Sequence, residues 1–409
     1  MKNNINSFDV IISGGGLSGC LMALNIAKLT KQDGSLLSIA IVEANELTRQ
    51  HDSPPLFDDR VLALSHGSAA YLADVGVWQH LTNDACAIEK IDISDRGHYG
   101  KARLKAKEHG VSALGYVIDM ALIGKGLLKE LADKSNVHWF CPDSINDIHW
   151  QADNDANKVA VALNSGQLLQ ASLLLACDGA NSSCRQLAGI NVSHSDYQQV
   201  ALIANVTTEK PHQNKAFERF TEFGPIAMLP LCELNSASRC SLVWTLSPEQ
   251  SDEILALNDD EFKRQLELAF GSWLGAITHV GKRDVYPLVL LQAQQQTYHR
   301  MALVGNASHT IHPIAGQGFN LGLRDVALMS NLLEKCLQAN NDIGSFSLLN
   351  EYAQQRLFDQ QQVIELTDSL VTLFANDLPP LVAGRNIGLK VMNYVSPIKN
   401  TLVNKLMGY

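Results

Sequence analysis

Three glycines near the start of the chain, Gly14, Gly16 and Gly19, stand at the spacing G-x-G-x-x-G directly after the apolar run Val10-Ile11-Ile12. That pattern suits a dinucleotide pyrophosphate. The first glycine permits a tight turn, the second lets the backbone approach the phosphates, and the third lets a helix pack on a strand. The free N–H groups and dipole of the helix that follows favour negative charge. A second apolar run, 38–42, ends in Glu43. An acidic residue at this distance past the glycines is the usual partner of the adenosine ribose hydroxyls. The plainer reading of Glu43 is an exposed charge at a strand end, and the glycines weigh against it.

Two later stretches add chemistry. The apolar run 168–176 ends at Cys177-Asp178-Gly179, followed by Ser182 and Arg185 in the pattern D-G-x-x-S-x-x-R. A polar loop at the carboxyl end of a buried strand is where open α/β sheets bind ligands. The run 301–304 leads into Gly305-Asn306-Ala307. A loop containing His309, His312, Pro313, Gly316, Gln317 and Gly318 comes next, then an amphipathic stretch from Phe319. Glycines before a helix N-terminus again make an anion site. The two histidines are tempting as bases, but histidines in such loops more often pack or hydrogen-bond. Arg60, beside Asp58 and Asp59, reads from composition alone as a surface arginine.

The elements that must hold these residues follow from periodicity. Helices are expected over 20–29, 68–72, 121–133, 259–270, from 319, and over 346–374. Strands are expected over 38–42, 138–140, 159–163, 168–176, 197–206, 216–230 and 240–246, with a hairpin at Asp95-Arg96-Gly97. Residues 44–60, with Pro54-Pro55, read as a loop. The expected fold class is α/β: a Rossmann-like dinucleotide-binding domain with an inserted antiparallel or mixed substrate sheet and a helical C-terminus. Residues 1–75, 101–190 and 286–365 would form the first domain, 76–100 and 191–285 the second, and 366–409 a basic tail.

Composition narrows the function. At 409 residues the chain is long enough for two or three domains, with 46% hydrophobic and 18% charged residues. A net charge of −10 argues against nucleic-acid binding. The eight cysteines include no C-x-x-C pair, which suits free thiols in a reducing cytoplasm rather than disulfides or a zinc site. No signal peptide is expected at the N-terminus, and no run is apolar enough to span a membrane. Residues 378–409 carry Arg385, Lys390, Lys399 and Lys405 and no acidic residue. Such a tail could lie peripherally on an anionic membrane; the competing reading is a basic segment packed on an acidic body.

Taken in order, the glycine turn with Glu43, the Asp178-Gly179 element and the G-N-A…H-P-x-x-G-Q-G-x-N element resemble the class A flavin-dependent aromatic hydroxylases of p-hydroxybenzoate hydroxylase-like fold. The stretches AFERF, GPIAMLP, CSLVW, HPIAGQGFNLGLRDV and TDSLVTLFAN are similar to the ubiquinone-biosynthesis branch of that family. The resemblance covers essentially the whole chain. It implies FAD as cofactor, held by Gly14, Gly16, Gly19, Glu43, Arg60, Asp178, Gly179, Asn306, Gly316, Gly318, Phe319 and Asn320. The flavin would face the loop Pro313, Gly316, Gln317 and Gly318. Most of the family has Gly-Asp where this chain has Gly305-Asn306; asparagine keeps a hydrogen-bond acceptor but loses charge assistance. The implied reaction is hydroxylation of a prenylated phenol by a flavin C4a-hydroperoxide, using dioxygen and NAD(P)H or another reductant. Other proteins of ubiquinone biosynthesis would be partners. Three alternatives stay open: hydroxylation at a different ring position, a same-fold FAD prenyl reductase, and a non-catalytic assembly subunit.

Overall fold

The computed structural model describes residues 5–47, 60–151, 157–311 and 316–374, with Val382, Arg385, Asn386, Val403, Met407 and Gly408 of the tail. The β-branched runs Val10–Ser13 and Ile39–Val42 and the leucine-rich Leu173–Ala176 are buried along their whole length. That is how parallel strands covered on both faces behave. They sit inside a six-stranded sheet in the order Thr297–Tyr298, Met301–Leu303, Leu173–Ala176, Val10–Ser13, Ile39–Val42 and Val137–Phe140. Every pairing is parallel except that of the first two strands.

One face of this sheet packs on the helices Leu17–Ile26, Met120–Leu131 and Gln317–Gln338, in a core that includes Ala23, Leu127, Val326 and Tyr352. The other face packs on a four-stranded sheet of Ile5–Ser7, Leu168–Ala171, Val159–Leu163 and Ile145–His149. The long helix Phe346–Phe374 has the bounds that periodicity predicts.

The expected single strand over 168–176 is two strands in different sheets. The break is Ser172, whose N–H donates to the Asp9 carbonyl at 3.1 Å and whose carbonyl accepts from Arg300 Nε at 2.8 Å. Both halves are apolar, so hydrophobic pattern alone gives no sign of the change of partner. The expected strand over 216–230 is likewise two, Lys215–Thr221 and Gly224–Leu234, paired antiparallel.

A nine-stranded mixed sheet forms the second layer. Its main path runs from His309–Thr310 through Asp284–Ala293, Val192–Thr208, Ala237–Leu246, Gly224–Leu234, Lys215–Thr221 and Lys90–Asp95 to Lys101–Lys105. One face is covered by the helices Pro248–Ala256 and Asp259–Phe270, with Leu202, Phe217, Met228, Trp244, Phe262 and Leu266 between. The second helix matches its expected bounds. The first was not anticipated, although Ser247, Pro248 and Gln250 form a proline-containing capping box that marks its start. The expected turn at Asp95-Arg96-Gly97 is present, and Lys90–Asp95 pairs with Lys101–Lys105. The domain boundary expected at residue 100 therefore cuts a hairpin, and 101–105 belongs to the nine-stranded sheet. A small sheet of Val61–Ser65, Gly115–Asp119 and Cys86–Ile88 completes the architecture.

The tail corrects one expectation. Arg385, read above as part of a basic docking surface, is buried. Its Nε donates to Asp95 Oδ2 at 2.8 Å, and the neighbouring Asn386 bonds both Asp95 and the Gly100 N–H. Val403 and Met407 pack on Leu104 and Leu114. These residues fit the competing reading, a basic segment packed on an acidic body. Lys390, Lys399 and Lys405 lie outside the described residues, as does most of the loop expected over 44–60. Among the described residues no helix is long and apolar enough to cross a membrane.

Removing one partner of a buried ion pair leaves the other charge uncompensated. Arg385→Ala should therefore cost about 3–5 kcal/mol of stability, seen as a lowered denaturant midpoint. Lys105→Ala, on the exposed side of the same hairpin, should stay within about 0.5 kcal/mol of the parent.

Candidate functional site

The three loops singled out by the sequence meet at one edge of the parallel sheet. Val10–Ser13, Leu173–Ala176 and Met301–Leu303 are adjacent and parallel, so their carboxyl ends deliver Gly14, Cys177-Asp178 and Gly305 side by side. Contact between the first two is at backbone distance. Gly14 has φ +95°, and a Cβ there would stand 2.5 Å from the Cys177 carbonyl oxygen. A Cβ on Gly19 would stand 1.9 Å from the Gly14 carbonyl oxygen. The third loop joins through Ser18: a Cβ on Gly305 would meet the Ser18 hydroxyl at 2.8 Å.

Gly16 differs from its neighbours. It caps the helix Leu17–Ile26 with an ordinary φ of −66°, and a Cβ there would meet nothing within 4 Å. No side chain caps this helix, so its first N–H groups face that space without a side-chain acceptor. Glu43 lies beside it, 6% exposed. Its Oε2 accepts the Gly15 N–H at 2.7 Å, and its Oε1 accepts the Asn45 backbone and side-chain N–H groups at 2.8 and 2.9 Å. Glu43 thus braces the glycine turn, a task its sequence position did not reveal. A carboxylate has about four acceptor sites, so it retains capacity for a further donor.

Asp178 uses one oxygen internally: Oδ2 accepts from the Cys184 N–H at 3.0 Å and the Ser183 hydroxyl at 3.2 Å. Its Oδ1 is buried with no partner, the condition of a group awaiting a ligand or water. Gly179 follows with φ +79° and open space where a Cβ would be. Arg185 is buried and fixes the third loop to the second, donating to the carbonyls of Ala307 and Ala180 at 2.8 and 2.7 Å. Cys177 and Cys184 are inert neighbours, since burial pushes both thiols well up.

Around the third loop, Asn306 is exposed while Gly305 and Ala307 are buried. Gly316 caps the helix Gln317–Gln338 with φ +62° and packs on Ala63, and no side chain caps that helix either. Gly318 and Phe319 are partly exposed, and Gln317 is buried. Asn320 was expected among the cofactor ligands. Its side chain is spent inside the protein: Oδ1 accepts the Ser65 N–H at 2.9 Å, and Nδ2 donates to Ala63 and Gly316 carbonyls at 2.9 and 2.7 Å. It fastens the glycine loop to the strand Val61–Ser65. Arg60 precedes that strand, is exposed, and lies over the Tyr286 ring at 5.3 Å. Pro313 and His312 lie outside the described residues.

The sequence reading missed the support under Gly305. Asp325, fully buried on Gln317–Gln338, accepts the Gly305 N–H at 2.7 Å and Arg356 Nε at 2.6 Å. Arg356 also pairs with Asp359 at 2.7 Å, and Arg324 with the same carboxylate at 2.9 Å. Burial opposes the charge on Arg356, but Asp325 and Asp359 outweigh it and raise its pKa. An acid on an otherwise apolar helix stripe was the available signal. His309 is fully buried with neither ring nitrogen bonded. Burial lowers its pKa despite the pull of Asp325, leaving it neutral at pH 7. Among the described residues no cluster of three His, Cys, Asp or Glu side chains could hold a metal ion.

The arrangement fits a dinucleotide: an open cradle at Gly16, an unpartnered carboxylate oxygen on Asp178, and two helix N-termini without side-chain caps. Comparison with known proteins agrees. The model of the FAD binding domain family matches residues 7–367. Ubiquinone hydroxylase UbiL of Rhodospirillum rubrum is 31% identical over 405 residues, covering 98% of this chain and 89% of that protein. The human ubiquinone biosynthesis monooxygenase COQ6, mitochondrial, is 29% identical over 444 residues, covering 97% and 92%. Among solved structures, p-nitrophenol 4-monooxygenase PnpA of Pseudomonas putida superposes with TM-score 0.75 at 17% identity over 99% of both chains. The probable FAD-dependent monooxygenase pqsL of Pseudomonas aeruginosa gives 0.74 at 19%, covering 94% of this chain and 100% of that one. At such identities these two show the fold.

The cradle makes a clean experiment. Gly16→Val has an allowed backbone and empty space around its side chain, so the ligand-free protein should fold and melt like the parent. It should lose bound FAD, read as flavin absorbance per protein. A Gly16→Val protein that keeps its flavin contradicts the cradle assignment.

Proposed function

The chain belongs to the FAD-binding domain family and is an FAD-dependent aromatic-ring monooxygenase, and we propose that it hydroxylates a polyprenylated phenol in ubiquinone biosynthesis. The observation that carries this reading is the similarity to UbiL along nearly the whole of both chains, joined to the three loops at one sheet edge. The finer proposal is 2-octaprenyl-6-methoxyphenol as substrate and the matching 1,4-benzoquinol as product. It rests on the resemblance of stretches such as AFERF and GPIAMLP to that ring hydroxylase. Dioxygen and NAD(P)H or another reductant are the proposed co-substrates, and peripheral contact with membrane would bring the prenylated phenol within reach.

In this reading the chain's own residues bind, orient and exclude water. Gly14, Gly16 and Gly19 take the pyrophosphate at the helix N-terminus, and Glu43 adds a ribose hydroxyl to its existing bonds. Asp178 Oδ1 and the open backbone at Gly179 serve the same end of the cofactor. Arg60 would hold the ribityl–phosphate part of the cofactor and Asn306 would take a ribityl hydroxyl. Bound FAD supplies the redox chemistry that activates dioxygen. The backbone of the Gly316–Asn320 turn, with the first N–H groups of the helix at Gln317, Gly318 and Phe319, would face the ring, where fixed dipoles would stabilise developing negative charge. Asn320, through Ala63 and Ser65, keeps that loop in place. Pro313 would border the reacting side. The electron-rich phenol activates its own ring, so no triad or metal is required.

A strain lacking the protein should lose ubiquinone and accumulate a prenylated phenol short of one hydroxyl, measured by mass spectrometry of lipid extracts. Unchanged quinone content in that strain would overturn the proposal.

A further inference from the structure

The two faces of the nine-stranded sheet are unlike. The face that meets the helices Pro248–Ala256 and Asp259–Phe270 is buried at its centre, with Phe217, Met228, Leu242 and Ala204 in register across four strands. Alternation turns the next residue of each strand to the opposite face. There the register aligns Ile93, Glu218, Ala227, Val243 and Ile203 across five strands. Each of these is partly exposed rather than buried. Tyr286, beneath Arg60, lies one strand further on the same face. Ala216, also on this face, packs with Val117 and Val61 of the small sheet that carries Ala63 and so the Gly316 loop. The row is therefore a partly exposed strip of the sheet beside the small sheet that holds the Gly316 loop.

Glu218 is the only ionisable side chain among these five. Among the described residues it makes no hydrogen bond or ion pair, and the residue is partly exposed. A carboxyl group largely surrounded by protein is costly unless a partner or ligand satisfies it. Burial alone pushes its pKa up to about 7. The charged and titratable groups that the register puts on the same face are Asp95, paired with Arg385, and Arg239, Asp284 and Tyr286, with Arg60 over the Tyr286 ring and Asp119 on the small sheet that packs on Ala216. None of them contributes to the shift.

We propose that Glu218 is a catalytic residue that accepts the ring hydroxyl proton of the phenol, with the aliphatic row beside it holding the ring and the start of its tail. This rests on the phenol-hydroxylase reading. In the step the phenol O–H bond breaks and its proton passes to a Glu218 oxygen. The electron pair stays on the phenol oxygen and spreads into the ring, raising its nucleophilicity ortho and para to the hydroxyl. The carboxyl group then returns the proton to water. A carboxylate with a pKa near working pH suits such a base, and it must be ionised to act, so activity rises with pH through about 7.

The test uses FAD-loaded protein and a short-chain 2-prenyl-6-methoxyphenol, with kcat and kcat/KM followed from about pH 5 to 9. Wild type should show a rising limb in kcat/KM near 7. Glu218→Gln should retain flavin, lose that limb, and drop about 10²-fold in kcat, the usual size of such assistance. Glu218→Asp should keep the limb with an intermediate rate. Equal rates and identical pH profiles for wild type and Glu218→Gln would overturn the role of Glu218 and leave the phenol-hydroxylase reading intact. A wild-type profile flat through neutrality would overturn it even if Glu218→Gln failed to fold. Wild-type protein that holds FAD and hydroxylates no prenylated phenol would sink the functional reading and this proposal with it.

Discussion

The site depends on how closely two backbones approach. Gly14 and the Cys177-Asp178 peptide touch at a distance no side chain at position 14 could survive, and Gly19 closes on Gly14 more tightly still. These contacts exist because Val10–Ser13 and Leu173–Ala176 are neighbouring parallel strands in matched register. Parallel strands end together, so loops separated by more than a hundred residues become one surface. The close approach leaves no room for a side chain at positions 14 and 19, while position 16 is left open.

Rigid support lies one layer behind. Asp325 and Arg356 are both buried, and burying charge is costly unless each partner is satisfied. Here each is: Asp325 takes the Gly305 N–H as well as Arg356, and Arg356 also meets Asp359. The two long C-terminal helices are thereby tied to the third loop. Asn320 does the same for the Gly316 loop from the opposite side. The tail closes on the nine-stranded sheet through Arg385 and Asp95. The helices Pro248–Ala256 and Asp259–Phe270 cover one face of that sheet, and the central row on its other face is partly exposed.

Much of this was legible in the chain. The spacing of Gly14, Gly16 and Gly19, the acid at Glu43 and the loops after 176 and 304 each mark a strand end, because ligand contact there needs small or polar residues. The helices over 259–270 and 346–374 were readable to the residue, since their amphipathic period is uninterrupted. Three kinds of feature were not. The exchange of sheets at Ser172 leaves an apolar run apolar. The engagement of Glu43 with Gly15, and of Asn320 with Ser65, looks in sequence like ligand binding, because the same polar atoms serve either purpose. The burial of Arg385 depends on Asp95, far away in the chain, so its charge suggested a surface.

In the proposed reaction this sheet edge holds a flavin that delivers an oxygen atom from dioxygen to a phenol ring. Turnover of a prenylated phenol by the FAD-loaded protein under ¹⁸O₂ tests it most directly. The expected product carries one ¹⁸O atom on the ring. A product with no label, or with oxygen drawn from water, would contradict it and point instead to a reductase on the same fold.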